Sequence, residues 1–377
     1  MFKLSAVGDI SFQGRYSDNP KYDIVESVMG VLKYSDIVVA NLENPLIESG
    51  IGAPSVGKCT LRGGIGWADV IKESGITVVS LANNHMMDYG EDGLFSTIDA
   101  LDRAGVKHVG VGKNRDDAGK PLFLEVSGCS IAFLARSSVV VNSRCYAGDD
   151  TPGVAFLDVQ STIEMVRDCK KNADYVILIL HWGLENYEHP SPEQRRLSKQ
   201  FIDSGVDLIL GHHPHVIQGV EAINNSVVNY SSGNFIFDEF PWSFLNMDGE
   251  LQDTVLRMRE KNRQGMILNV EFYQPQLSWH CIHTRITRSG IVVLDDRIER
   301  QKQFEALCQR LDLKCYAFIW KLYAAWREFD LRILPLVRGK FTWNKIKKIR
   351  PSHFKQLFST LKRSLKITSE KTTNPYE

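Results

Sequence analysis

The sequence lacks the features of a secreted or membrane-spanning protein. Its seven cysteines are odd in number and scattered, and no two form a C-x-x-C pair, which argues against a disulfide framework and indicates reduced thiols. No apolar run approaches the roughly 20 residues that span a bilayer. The opening residues MFKLSAVGDI enter a strand pattern at once, without the regions of a signal peptide. We therefore expect a cytoplasmic protein, attached at most to the cytoplasmic face of a membrane.

The sequence also lacks an excess of charge of either sign. Lys and Arg together number 45, and so do Asp and Glu. Outside the C-terminal tail there is no cluster of basic and aromatic residues of the kind that binds single-stranded nucleic acid. The composition therefore gives little support to an enzyme that acts on nucleic acid, such as a nucleic-acid phosphoesterase, and we expect no nucleic-acid partner.

The 377 residues are enough for one large domain or two, with a sizeable core. Through most of the first 215 residues, short apolar runs alternate with amphipathic patterns typical of helices, which predicts an α/β fold. Residues 216–240 and about 264–297 are richer in hairpin patterns. These predict a mixed sheet, or a second sheet that packs on the first.

The character of the chain changes near Gln301, where aromatic and apolar residues cluster and a tail rich in Lys and Arg follows. We expect residues 1–300 to form the α/β domain and residues 301–377 a separate helical, basic extension. From Pro351 onward, five apolar residues share one helical face: Phe354, Leu357, Phe358, Leu361 and Leu365. Two interpretations stay open, a helix that packs on its own domain and a basic amphipathic helix that makes peripheral contact with an anionic membrane.

Three histidines crowd into the stretch GHHPHVIQG, directly after an apolar run. Burying an imidazole is costly unless both ring nitrogens find partners. Pro214 biases His213 toward extended geometry, and residues two apart on an extended chain point to the same side. We therefore expect His213 and His215 to converge on one point.

Other polar residues also follow apolar strands. Each one alone is ordinary in a turn or at a helix cap, but open α/β sheets bind ligands outside the carboxyl ends of their strands. Together they predict a metal centre. The oxygen and nitrogen donors, with no thiolate, suit Mn, Fe, Zn or Mg better than a cysteine-based structural zinc. The strand-end residues are Asp9, Glu43, Asn83, Asn84, His85, His181, His213 and His215.

The sequence resembles the CapA family of capsule and poly-γ-glutamate biosynthesis proteins, within the calcineurin-like metallophosphatase superfamily. The resemblance covers about residues 4–240 and is specific for the family, and much less so for the substrate. It implies a four-layer α/β/β/α sandwich with a metal centre at the strand ends. The matching stretches, in the family's order, are AVGDISF, VVANLENPL, KCTLRG, SLANNHMMDYG, HWGLEN, GHHPHVIQGVE and NYSSGNFIFD.

The resemblance also implies a role for individual residues. Glu43 falls where a carboxylate bridges two metals, His85 where a histidine protonates the leaving group, and Asp88 where it can orient His85. Arg62 matches a position that faces an anionic substrate. The implied metal ligands are Asp9, Glu43, Asn84, His181, His213 and His215.

The sequence departs from the wider superfamily at two of these positions. The usual Asp-x-His after the first strand is Asp9-Ile10-Ser11, and the bridging carboxylate is Glu43 instead of an aspartate. These departures leave open whether one or two divalent ions (Mn, Zn or Fe) bind. His212 and Glu185 are further candidates for lining the pocket and binding substrate.

Two classes of function follow from these residues. The first is a metal-dependent hydrolase of a phosphoester or amide bond, acting on an anionic small molecule or polymer in the synthesis of a cell-surface polymer. In it, the cation would polarise a phosphoryl or carbonyl oxygen and activate water, while His85 donates a proton. The second is a non-catalytic metal-binding scaffold in the capsule or polyglutamate synthesis machinery.

Overall fold

The computed structural model describes residues 1–17, 20–48, 60–139, 145–245, 251–273 and 276–330. The helices are α1 (Glu26–Leu32), α2 (Trp67–Glu73), α3 (Gly90–Ala104), α4 (Arg115–Gly119), α5 (Val159–Cys169), α6 (Pro192–Ser204), α7 (Ile298–Leu311) and α8 (Tyr316–Glu328). The strands are β1 (Phe2–Ile10), β2 (Ile37–Leu42), β3 (Val78–Ser80), β4 (Lys107–Val109), β5 (Val111–Gly112), β6 (Leu122–Val126), β7 (Cys129–Ser137), β8 (Gly153–Val154), β9 (Tyr175–His181), β10 (Leu208–His212), β11 (Val220–Ile223), β12 (Ser226–Asn229), β13 (Asn234–Ile236), β14 (Phe240–Leu245), β15 (Leu251–Leu256), β16 (Gln264–Tyr273), β17 (Gln276–Ile286) and β18 (Val292–Leu294).

Two mixed sheets form the centre of the fold. The first has the order β18-β17-β16-β1-β2-β3-β4, with β13 also paired to β1. The second has the order β11-β12-β10-β9-β7-β6. In the second sheet the central strands are parallel and an antiparallel strand lies at each edge. In the first sheet β1 to β4 are parallel, and β16, β17 and β18 extend the sheet with antiparallel pairing on the other side of β1. The predicted mixed α/β architecture is therefore confirmed.

The side chains of β7 show how the layers stack. Ile131 and Phe133 join the core shared with the first sheet, whereas Ala132 and Leu134 join a second core with α5 and α6. The strand is thus covered by the first sheet on one face and by helices on the other. With α1, α2 and α3 packed on the first sheet, the layers form the predicted α/β/β/α sandwich.

Local sequence signals set the ends of α6. Ser191 and Gln194 form a reciprocal capping box, and Pro192 occupies the first turn. Gly205 ends the helix with a φ of 121°, a conformation that glycine adopts without strain. The helix therefore begins at the end of the segment that follows β9, and this segment carries part of the site described below.

The described residues after 300 lie mostly in α7 and α8, with a short turn between the two helices. Tyr316, Trp320 and Ala324 of α8 are buried in the same core as α5 and α6, so this helix packs directly on the α/β unit. The proposed boundary at residue 300 stays a prediction. The basic tail from 331 onward, with its amphipathic stretch and its proposed membrane contact, lies outside the described residues.

Within the described ranges, the helices are all too short or too polar to cross a membrane. The cysteines that the structure describes form no disulfide with one another.

The packing of α8 gives a stability prediction. Trp320 is 2% exposed and Phe318 is 64% exposed on the same helix. We expect Trp320→Ala to lower the free energy of unfolding by about 3–5 kcal/mol, the usual cost of emptying a large buried site. Phe318→Ala should cost much less, because its side chain is already in water. Equal effects in urea denaturation of the two variants would contradict the packing described here.

Candidate metal centre

The strand ends of the two sheets meet at one point. Asp9 at the end of β1 belongs to the first sheet, and His212 at the end of β10 belongs to the second. Their side chains nevertheless lie within hydrogen-bond distance, with His212 Nδ1 3.0 Å from Asp9 Oδ1. His181 ends β9 in register with His212. The candidate centre therefore lies between the sheets, at the carboxyl ends of their parallel strands.

Six of the residues predicted from the sequence come together here. Potential ligand atoms within each of three groups lie within 4.8 Å of one another. Glu43 belongs to two of the groups, and His213 and His215 also each belong to two. The groups are Glu43 with His181 and His213, Asp9 with Glu43 and His215, and Glu185 with His213 and His215.

Some buried polar atoms of the centre have no hydrogen-bond partner among the described residues, including Nδ1 of His213 and both carboxylate oxygens of Glu43. Glu43 is 1% exposed, yet neither of its carboxylate oxygens is hydrogen-bonded to a residue that the structure describes. His215 Nε2 is 3.4 Å and His181 Nε2 3.8 Å from Glu43 Oε1. A buried carboxylate in this state is costly unless a cation satisfies it. The residues therefore fit a divalent metal ion.

Asn84 extends the first group. Its Oδ1 lies 2.8 Å from Nε2 of His181, so the two atoms face each other at the centre. The chain reaches this position because Asn83 turns it after β3: Oδ1 of Asn83 accepts hydrogen bonds from the backbone amides of His85 and Met86. The turn ends β3 at Ser80, which is earlier than the apolar pattern indicates.

The electrostatics of the cluster favour the protonation states that bind metals. Burial and the neighbouring imidazoles hold the pKa of His181 well below its usual range, and burial also lowers the pKa of His213. Burial alone would raise the pKa of Asp9, but its contacts with His212 leave this pKa lowered. Neutral imidazoles and ionised carboxylates are the forms that coordinate cations.

His215 is the exception in the metal-free protein. Burial lowers its pKa, but the carboxylates of Glu43 and Asp9 outweigh burial and raise it to about 10. Its Nδ1 lies 2.9 Å from Oδ1 of Asn234. Protonated His215 partly offsets the two buried carboxylates, a role that a bound cation would take over.

His213 and His215 converge as predicted, but the geometry by which they do so differs from the prediction. Their φ angles are 93° and 55°, in the left-handed region, whereas the sequence indicated an extended segment before Pro214. Their ring centroids lie 5.9 Å apart. Non-glycine residues occupy this region at a cost of order 1–3 kcal/mol, typically at functional sites. The preference imposed by Pro214 is therefore overridden by the tertiary structure.

The proposed proton donor lies at the edge of the centre. Nδ1 of His85 is 2.8 Å from Oδ2 of Asp88, and the two side chains are 14% and 11% exposed. Burial lowers the pKa of His85, but the hydrogen bond and charge of Asp88 raise it overall. Oδ2 of Asp88 also accepts a hydrogen bond from the amide of Leu61, which fixes the segment carrying Arg62 beside the pair.

The other two predicted substrate residues occupy different environments. His212 is 2% exposed, and its Nδ1 contacts Asp9, which is a candidate metal ligand. Glu185 is exposed, and its carboxylate faces His213 and His215 from the mouth of the centre. The substrate-binding roles of both, and of Arg62, stay predictions.

Asparagines hold the candidate ligands in place, and of these the sequence pattern pointed only to Asn83 as a strand-end residue and missed Asn41 and Asn234. Nδ2 of Asn41 donates to Oδ1 of Asp9 and lies 3.4 Å from Nδ1 of His181. Asn83 Nδ2 donates to the carbonyl of Leu42, one residue before Glu43. Asn234 contacts His215, as described above. The signal was present in the quoted stretches VVANLENPL, SLANNH and SSGNF, where each asparagine lies at or near a strand end.

The shared position of Glu43 gives a stoichiometry prediction. Because Glu43 belongs to both buried groups, Glu43→Gln should reduce bound divalent metal more than His181→Ala or His215→Ala, which each alter one of them. Metal content by elemental analysis after Mn²⁺, Zn²⁺ and Fe²⁺ supplementation measures this. Metal content in Glu43→Gln equal to wild type would show that the cluster is not a metal centre.

The backbone conformation of His213 gives a second prediction. His213→Ala and His213→Gly remove the same imidazole, but only glycine relaxes at a φ of 93°. In metal-free protein we expect His213→Gly to be more stable than His213→Ala by about 1 kcal/mol. Both should lose metal equally. The reverse order of stability in chemical denaturation would mean that the backbone there is not strained.

The chain matches known proteins over most of this region. Residues 3–239 match the family model described as "Bacterial capsule synthesis protein PGA_cap". The chain is 35% identical over 246 residues to the "PGA biosynthesis protein CapA" of Bacillus subtilis (strain 168), covering 63% of this chain and 64% of that protein. It is 36% identical over 222 residues to the "Capsule biosynthesis protein CapA" of Bacillus anthracis, covering 57% and 54%. The chain therefore spans less than two thirds of either relative.

Solved structures resemble the chain more distantly. A hypothetical protein from Thermus thermophilus has a TM-score of 0.45 and 15% identity, covering 74% of this chain and 99% of that one. The NAD nucleotidase of Haemophilus influenzae has a TM-score of 0.42 and 14% identity, covering 81% and 55%. Similarity at this level carries no argument about chemistry. The family model, in contrast, covers well over half of the sequence, including the strand ends that form the centre, and the chain belongs to the bacterial capsule synthesis protein family PGA_cap.

Proposed function

We propose that the protein is a metal-dependent hydrolase of a phosphoester or amide bond, acting in the synthesis of capsule, poly-γ-glutamate or another cell-surface polymer. The single observation that carries this proposal is the buried carboxylate of Glu43, which accepts no hydrogen bond from a described residue and is shared by two groups of ligand atoms. The process follows from the family and the relatives named above. Capsule or polyglutamate synthesis enzymes are the partners that this process suggests.

The ligand set supports one or two cations. Glu43, His181 and His213, with Asn84 beside them, would hold the first. Asp9, Glu43 and His215 would hold the second, without any donor from Ser11. A divalent cation there supplies Lewis acidity toward a phosphoryl or carbonyl oxygen and activates water for attack.

The remaining steps belong to side chains at the edge of the centre. His85 would donate a proton to the leaving oxygen or nitrogen, because Asp88 favours its protonated form and holds its Nδ1, leaving Nε2 for the substrate. Arg62 would bind a phosphate or carboxylate of the substrate, since its planar guanidinium can pair with either through two parallel hydrogen bonds. An anionic substrate fits these residues.

The alternative is a non-catalytic metal-binding scaffold. One observation favours it: Ser11 stands where the wider superfamily carries a ligand histidine, and its hydroxyl is buried without a partner among the described residues. A scaffold would keep the metal and the fold but need no proton donor. The pair formed by His85 and Asp88 favours the hydrolase.

A leaving-group series tests the catalytic role. His85→Gln should keep near wild-type metal content but lower turnover roughly 10²–10⁴-fold on poor leaving groups, the usual worth of general acid catalysis. The loss should be smaller on activated esters such as p-nitrophenyl phosphate, which need little protonation. Asp88→Asn, which keeps the size of the side chain, should show the same pattern more weakly.

The substrates for this test are phosphoesters and γ-glutamyl amides, with steady-state rates and metal content measured for each variant. A metal-loaded wild type that turns over none of them would support the scaffold. Equal losses on good and poor leaving groups in His85→Gln would remove His85 from the proton-donor role.

A further inference from the structure

The loop that carries Glu185 connects β9 to α6 and is held along its length by α8. Its backbone and side chains form a hydrogen bond with α8 at each of five consecutive residues, from Asn186 to Pro190. These bonds join Arg327 Nε to the Asn186 carbonyl, Tyr187 Oη to Glu328 Oε1, the Glu188 amide to Tyr323 Oη, Trp320 Nε1 to the His189 carbonyl and Tyr316 Oη to the Pro190 carbonyl, at 2.6–3.2 Å.

The same loop is bonded to the turn that carries two ligand histidines. The amide of Asn186 donates to the carbonyl of Pro214 at 2.7 Å. Nδ2 of Asn262 donates both to Oδ1 of Asn186 at 2.8 Å and to the carbonyl of His215 at 3.0 Å. Asn186 itself has a φ of 64°, a left-handed conformation that asparagine tolerates better than most residues. One residue thus links α8 to the histidine turn.

We propose that α8 is a positioning element of the metal centre, which sets the place of Glu185 and, through Asn186, of the turn carrying His213 and His215. This inference rests on the metal site of the proposed function, and it adds Glu185 as a further carboxylate beside that site, because Glu185 forms a third group of ligand atoms with His213 and His215. It assigns to α8 a role at the site, although the ligand groups found in the described part of the chain include no residue of this helix.

The exposure of Glu185 is the reason that α8 matters. Glu185 is the exposed member of the three ligand groups found among the described residues, so packing restrains its side chain less than it restrains the buried members. The position of the carboxylate depends on the backbone that follows, and α8 fixes that backbone. Glu43 and His181, in contrast, are 1% exposed at the ends of central strands and are held by the sheets. Weakening the bonds to α8 should therefore displace the ligand atoms of Glu185, His213 and His215 more than those of Glu43 and His181.

A double-mutant cycle on metal affinity tests this coupling. Tyr323→Phe removes only the hydroxyl that accepts from Glu188, and Arg327→Met removes the donor to Asn186 while keeping the stem. We expect each to weaken Mn²⁺ binding to the full-length protein about three- to tenfold by calorimetry, and Glu185→Gln to weaken it at least as much. In the Glu185→Gln background the additional effect of Tyr323→Phe should largely disappear, since the two act through one carboxylate.

The matched control is Tyr16→Phe, which removes a buried tyrosine hydroxyl bonded to the carbonyl of Gly290, away from this loop. It should leave the Mn²⁺ affinity at the wild-type value. Wild-type affinity in both α8 variants, or an undiminished effect of Tyr323→Phe in the Glu185→Gln background, would overturn the positioning role. Mn²⁺ binding that follows the predicted cycle in a protein that hydrolyses none of the substrates would refute the proposed hydrolase and leave this inference standing.

Discussion

The centre of this protein depends on one electrostatic constraint, the burial of the Glu43 carboxylate without a hydrogen-bond donor among the described residues. Moving an ionised carboxylate out of water costs several kcal/mol of solvation free energy. Nearby imidazoles offset only part of this cost if they are neutral. In the metal-free state, protonated His215 supplies some compensation. A divalent cation supplies more, and it does so at the point where the ligand atoms of both sheets meet. The fold therefore carries a local instability that a metal ion would relieve.

The two sheets explain how this arrangement is held in place. Strands buried on both faces, such as β9, are rigid, so the residues at their ends have little freedom to move away from one another. Asn41 and Asn83 add hydrogen bonds between neighbouring strand ends on the first sheet. The left-handed backbone of His213 and His215 is a further local cost that the surrounding structure must offset. The buried strands thus supply the rigidity of the centre, and the backbone strain lies in the residues that follow them.

Much of the fold and of the candidate centre could be predicted from the sequence, because apolar strands are local patterns and their last residues are polar. Asp9, Glu43, His181 and the histidine turn were placed at the centre on that basis. The left-handed conformation of His213 could not be predicted, since Pro214 favours the opposite and only long-range contacts override it. The hydrogen bonds between α8 and the loop of Glu185 could not be predicted from the sequence either, because they join residues more than 120 positions apart. The change of composition near Gln301 suggested a separate extension, yet α8 is packed against the α/β unit.

The most direct test of the metal centre is an anomalous-scattering map from crystals grown with Mn²⁺ and measured at the manganese absorption edge. We expect a peak within coordination distance of Glu43, His181 and His213, with any second peak shared by Asp9, Glu43 and His215. A well-ordered Glu43 with no anomalous peak beside it would show that the buried carboxylate does not bind a metal ion.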